Sequence, residues 1–167
     1  GVSEKVSAAL LERIARQLKC VSIAVSERRA SVTIYVHDSK HVMATIPTLM
    51  NKAGQAIQTL EKYINALTST MADLSVREFQ DMVTIFAVCR TIQRTEMVRR
   101  IAEEIEPYIV ELGTEGRLIR LQLQELILPV EEANLVVKDY YKEKSSNNYE
   151  QALQRISDIP QDELLNL

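Results

Sequence analysis

A chain of 167 residues can enclose a hydrophobic core, and 46% apolar with 26% charged side chains is the profile of a folded protein, which excludes a disordered one. Its 20 basic and 23 acidic residues leave a net charge of −3, which excludes a chain-wide positive field of the kind that attracts a polyanion. Two cysteines exclude a disulfide framework, no apolar run reaches the roughly 18 residues of a membrane span, and the N-terminal residues lack the apolar core of a signal peptide. The expectation is a cytoplasmic protein with no membrane partner.

In chain order, Val6, Leu10, Ile14 and Leu18 recur every four residues, which predicts an amphipathic helix over Ser3–Lys19 with Ser3 as its cap. Cys20–Ser26 and Ser31–His37 alternate in the manner of strands around the loop Glu27-Arg28-Arg29-Ala30, and predict an antiparallel pair. A turn at Asp38-Ser39-Lys40 leads to a third short strand over His41–Ala44. From Pro47 the pattern is helical. Leu49, Ala53, Ile57, Leu60, Ile64 and Leu67 predict a helix to about Leu74, and Ser75 is placed as the cap of a short helix through Met82.

Thr84 is expected to cap a long helix carrying Ile85, Val88, Ile92, Val98, Ile101 and Ile105, which Pro107 kinks or interrupts. Gly113 is read as its stop and Thr114 as a new cap, followed by helical spacing through Leu118–Ile127 as far as Pro129. A further helix is predicted over Val130–Lys144, then a loop at Ser145–Asn148, then a short amphipathic segment over Tyr149–Ile156, with Pro160 and Leu164-Leu165 loosely docked or frayed. With four Gly and four Pro in the whole chain, the expected class is mainly α. It comprises one N-terminal helix on a small antiparallel strand remnant, then a multi-helix bundle with a long kinked helix.

Three ordered segments carry a resemblance: Ala24-Val25-Ser26-Glu27-Arg28-Arg29, Gln55-Ala56-Ile57-Gln58-Thr59-Leu60-Glu61-Lys62-Tyr63 and Glu111-Leu112-Gly113-Thr114-Glu115-Gly116-Arg117. Together they resemble the DisA family of bacterial DNA integrity scanning proteins, which are diadenylate cyclases. The resemblance implies that residues 1–45 are a partial diadenylate-cyclase-like α/β segment and that residues 46–167 are the family's helical linker domain. It also implies that Ser26, Glu27 and Arg28 lie near the nucleotide.

In the intact family ATP and a divalent metal are the reactants and cofactor of cyclic di-AMP formation, and an Asp-Gly-Ala segment and an Arg-His-Arg segment hold them. No Asp-Gly-Ala occurs here, and Ser7-Ala8-Ala9 stand where Arg-His-Arg would fall. Phosphoryl transfer depends on positioned cations, so the chain alone is expected to be inactive, with no catalytic residue, no metal site and no cofactor of its own. That departure fits either a trimmed or re-engineered chain or a degenerate relative. The family's DNA-binding helix-hairpin-helix module has no counterpart in the sequence, so DNA is expected as a partner only through that module. A linker with a truncated sheet is expected to form a homo-oligomer. A partial cyclase and a DNA-binding helical segment are the competing readings.

His37 and His41 flank Asp38, but no further ligand completes a tetrahedral set, so a polar hairpin loop is the favoured reading. Cys20 and Cys89 sit in apolar runs with no histidine beside them, the setting of a small core residue. Arg90, Arg94, Arg99, Arg100, Arg117 and Arg120 would form a basic surface if they converged, but Glu96, Glu103, Glu104 and Glu106 share the stretch and favour a salt-bridged, solvated face. Gly113-Thr114-Glu115-Gly116 lacks the lysine of a phosphate loop and reads as helix punctuation.

Overall fold

The computed structural model describes residues 2–26, 31–140 and 146–165, and the backbone alone at 2–7 and 146–149. The chain divides into two compact units, residues 1–51 and 52–167.

In the first unit, helix α1 (Val2–Leu18) lies against a three-stranded antiparallel sheet of order β1-β2-β3, formed by Val21–Ser26, Ser31–Val36 and Ser39–Val42. The alternation seen in the sequence sets the pairing, with Val21 opposite Val36, Ile23 opposite Ile34 and Val25 opposite Val32. β3 begins at Ser39, two residues before the predicted start. A two-residue turn at His37 and Asp38 makes this possible, with His37 at φ 53, a conformation histidine tolerates better than most residues. The sheet's polarity is unusual. Ser22 and Tyr35, cross-strand partners, are buried together with Ala15 of α1, whereas Val21, Ile23 and Val25 on the opposite face are 61%, 59% and 69% exposed.

The second unit is helical. Helix α2 (Ile46–Phe79) runs from the end of the first unit into the second and buries Ala53, Ile57, Leu60, Ile64, Leu67 and Leu74, spaced three, four or seven apart along one face. Ser75 does not begin a new helix: α2 continues through it and stops four residues later. The stop is a Schellman arrangement, in which the Met82 amide donates to the Arg77 carbonyl at 2.9 Å and the Asp81 amide to the Glu78 carbonyl at 3.2 Å. Asp81 takes the left-handed position, φ 55, that glycine usually fills.

Helix α3 (Ile85–Leu112) starts at Thr84 as expected, whose hydroxyl accepts from the Ala87 amide at 3.3 Å. Thr91, Thr95, Val98, Ile105, Ile109 and Leu112 form its buried stripe. Pro107 lies inside α3 and does not interrupt it. Pro107 and Glu103 are both exposed, so the carbonyl that loses its amide partner is on the solvated side of the helix.

Gly113 ends α3 at φ 58, and its amide donates to the carbonyls of Ile109 and Val110. Thr114 does not cap the next helix. Gly113–Gly116 form a single 3-10 turn, and helix α4 (Arg117–Leu126) follows Gly116 with no side-chain cap. The packing explains this: a Cβ on Gly116 would meet the Ile109 carbonyl oxygen at 2.8 Å, so the chain returns against α3 at a point that only glycine permits.

Helix α5 (Leu128–Tyr140) takes Pro129 into its first turn, where a missing amide costs nothing. The predicted continuation to Lys144 falls, beyond Tyr140, outside the described residues. Helix α6 (Ser146–Ser157) begins three residues before the predicted start, inside the segment expected to be a loop. Helix α7 (Gln161–Leu164) is docked, not frayed, because Leu164 is 1% exposed and its carbonyl accepts from the Gln93 side chain.

Both turn residues are testable by chemical denaturation. Asp81→Gly is expected to stabilise the protein by about 1 kcal/mol by removing the left-handed strain. Gly116→Ala is expected to destabilise it by about 1–3 kcal/mol through overpacking against Ile109.

Candidate functional site

The arginines of α3 separate into two groups that sequence spacing does not distinguish. Toward the middle of the helix, Glu96 is 5% exposed and its carboxylate receives Arg99 Nε at 2.8 Å, Arg99 Nη2 at 2.7 Å and Arg100 Nε at 2.7 Å. Arg99 also bonds Glu103 and donates to the Ser157 hydroxyl at 3.0 Å, while Arg100 Nη2 donates to the carbonyls of Ser157 at 3.1 Å and Ile159 at 2.6 Å. The expected solvated salt-bridged face is therefore, at these residues, a partly buried clamp on the α6–α7 link.

Burial alone would raise the Glu96 pKa. Hydrogen bonds from Arg99 and Arg100, and then their charges, outweigh it and hold the carboxyl below its ordinary value of 4.5. Hydrogen bonding to Glu96 raises Arg99 in turn, against a smaller opposing effect of burial.

Nearer the start of α3, Arg90 and Arg94 have no carboxylate partner among the described residues. Arg94 Nη1 instead donates to the Ala66 carbonyl and the Thr70 hydroxyl of α2. Burial, followed by the like charge of Arg90, lowers the Arg94 pKa from its ordinary value. Arg90, Arg94 and Arg77 of α2 line one groove of about 460 Å³, with Asp73, Thr84 and Phe86. Arg117 and Arg120 are exposed on α4. Arg77 and Phe86 were not singled out from sequence. Arg77 enters the groove only because α2 continues past Ser75.

Of the residues placed near a nucleotide by resemblance, Ser26 ends β1 opposite Ser31, and Glu27 and Arg28 lie outside the described residues. Ala8 and Ala9, in the stretch where the family's phosphate grip would fall, are helical positions of α1. Of this set the described side chains, a serine and two alanines, offer no cation and no carboxylate. His37 sits in the β2–β3 turn and His41 on β3 opposite Ile34; among the described residues no group of three or more His, Cys, Asp or Glu side chains is placed to hold a metal ion. Cys20 is half-buried near the Ile14 carbonyl, but Cys89 is exposed on α3, contrary to the core position its apolar neighbours predicted. Helical rotation turns it out of the stripe formed by Val88 and Thr91. No helix among the described residues is long and apolar enough to cross a membrane.

Two further ties join α2 to other helices. Gln122 donates to Glu61 at 3.2 Å, and the Tyr140 hydroxyl donates to Glu78 at 2.7 Å, which pushes the phenol pKa up to about 12.

Fold and side-chain arrangement together define a helical module, tied by buried polar contacts, that follows a small piece of sheet. The chain belongs to the family described as the DisA bacterial checkpoint controller linker region, whose model matches residues 43–167. It is 45% identical over 157 residues to the DNA integrity scanning protein DisA of Clostridium perfringens strain SM101, a match covering 93% of this chain and 44% of that protein. The proteins of the same name from Clostridium botulinum strain Eklund 17B and Clostridium kluyveri are 45% and 44% identical, again over 93% of this chain and 44% of each relative. The chain thus spans under half the length of these relatives.

The clamp predicts a specific acid response. Because the folded pKa of Glu96 is depressed, its contribution to stability is present above the unfolded value and is lost as pH falls through the folded one. Glu96→Gln is expected to cost about 3 kcal/mol at pH 7, the scale for breaking a buried ion pair. The deficit relative to the parent should shrink below about pH 4, measured by urea denaturation across pH; a pH-independent deficit would contradict the assignment.

Proposed function

We propose that the chain is the linker portion of a DisA-type protein, with the end of its cyclase domain attached, and that it acts as a scaffold without catalysis of its own. On this reading the helical unit holds a cyclase domain at a fixed separation from a DNA-binding module and supports self-association. The observation that carries the proposal is the family match over residues 43–167, which begins directly after β3 ends at Val42, takes in α2 to α7 and leaves α1 and the sheet outside.

The sheet supports the same reading. An isolated sheet under one helix would turn its apolar side toward that helix, yet Val21, Ile23 and Val25 point away from α1 and are exposed. Burial of such a face is favoured at about 25 cal/mol per Å², so the surface suits a larger domain or, in this chain alone, a second copy. The sequence carries no Asp-Gly-Ala segment, and Ser7-Ala8-Ala9 stand where Arg-His-Arg would fall, which supports a scaffold over a partial cyclase. The attachment to DNA belongs, on this proposal, to a separate module of the whole protein, and the setting is the bacterial cytoplasm.

Two measurements test it. Incubation with ATP and Mg²⁺ or Mn²⁺ is expected to give no cyclic di-AMP above a no-protein control; product would revive the cyclase reading. Light scattering at micromolar concentration is expected to show a dimer or larger species, and Ile23→Asp to shift it toward monomer. A parent protein found only at 19.0 kDa would contradict self-association.

A further inference from the structure

The groove between α2 and the first turns of α3 differs in charge balance from the stretch of α3 around Glu96. Three guanidinium groups, Arg77, Arg90 and Arg94, share it with one carboxylate, Asp73, which is already paired with Arg77 Nε at 2.8 Å. Arg90 and Arg94 are thus left without a carboxylate partner among the described residues. The contrast with Arg99 and Arg100, on the same helix, is direct: those two close on Glu96, whereas Arg94 is anchored by a carbonyl and a hydroxyl that position it without neutralising it.

We propose that this groove is a binding site for a phosphate group. Arg90 and Arg94 are one helical turn apart on the same face of α3, and Arg77 reaches in from α2, so forked donors converge from two elements on a single volume. Such forks match the geometry of phosphate oxygens, and a doubly charged group offsets the two unpaired guanidiniums as a single carboxylate would not. Burial, and after it the like charge of Arg90, lowers the Arg94 pKa, and a bound anion relieves the repulsion between the two arginines. Thr84 adds a hydroxyl. Phe86, 64% exposed on the lining, adds a ring face on which a base can stack, as single-stranded nucleic acids require.

The phosphate has two possible sources, a small phosphate compound and a nucleic-acid backbone, and the inference rests on α2 and α3, not on the linker reading. The test is titration of the full chain, at low salt, with sodium pyrophosphate in one arm and a 12-residue single-stranded oligothymidylate in the other. Binding is followed through the arginine Nε–Hε NMR resonances. Arg90 is exposed and holds no other element in place, so Arg90→Gln is expected to fold normally and to weaken binding on the order of tenfold, the loss of one charge-assisted contact.

Saturable movement of the Arg90 and Arg94 signals by either ligand, weakened in R90Q, supports the site. The arm that responds identifies the source. An oligomer-only response that Phe86→Ala also weakens points to the backbone of a single strand. Failure of both ligands to move these signals, or an R90Q variant that binds as tightly as the parent, overturns the proposal. Neither result bears on oligomeric state or on cyclase activity, so the linker reading stands or falls separately.

Discussion

The docking of the last helices depends on Glu96, the one buried carboxylate among the described residues. Glu96 faces the interior of the unit, and an unpaired charge there would be costly to bury. Arg99 and Arg100 remove that cost, and because their remaining donors reach Ser157 and Ile159, the same groups that neutralise Glu96 fix the position of the chain between α6 and α7. Leu164 then enters the core a few residues later, its carbonyl held by Gln93. A buried pair of this kind contributes little net stability over an apolar substitute, but it specifies one docking position where apolar contacts would accept several.

Much of the fold was legible because its physical causes are local. The apolar stripes of α2 and α3 repeat every three or four residues, Thr84 is a capping residue ahead of such a stripe, and Gly113 is the one glycine at its end. The failures also have local causes. Ser75 looked like a cap, but the helix is stopped at Asp81, an aspartate in a glycine's conformation, which leaves no sequence signal. Thr114 lost its role to the close approach of Gly116 and Ile109, a contact between residues seven apart that no capping rule contains.

The candidate sites were less legible than the fold for a related reason. Six arginines in a mixed-charge stretch look equivalent in sequence, yet their roles are decided by what faces them. Arg100 meets a buried glutamate and two carbonyls, whereas Arg90 meets other arginines. Arg77, well before Arg90 and Arg94 in sequence, joins them only through the extent of α2 and the turn that follows it. Cys89 was misjudged in the same way, since its neighbours in sequence are apolar but its helical face is exposed. The small antiparallel sheet behind one helix was legible from its alternation, but the exposure of Val21, Ile23 and Val25 on its far face was not.

The tie between Tyr140 and Glu78 sets a different limit from the clamp at Glu96. The carboxylate that accepts its hydrogen bond pushes the phenol pKa up to about 12. Whatever this bond contributes is in place below the ordinary phenol range and fades only as alkalinity passes the raised value. The Glu96 clamp weakens in acid. The two fastenings thus weaken at opposite extremes: acid weakens the hold on the link between α6 and α7, strong base weakens the tie from the end of α5 to α2, and across the broad neutral interval both are closed.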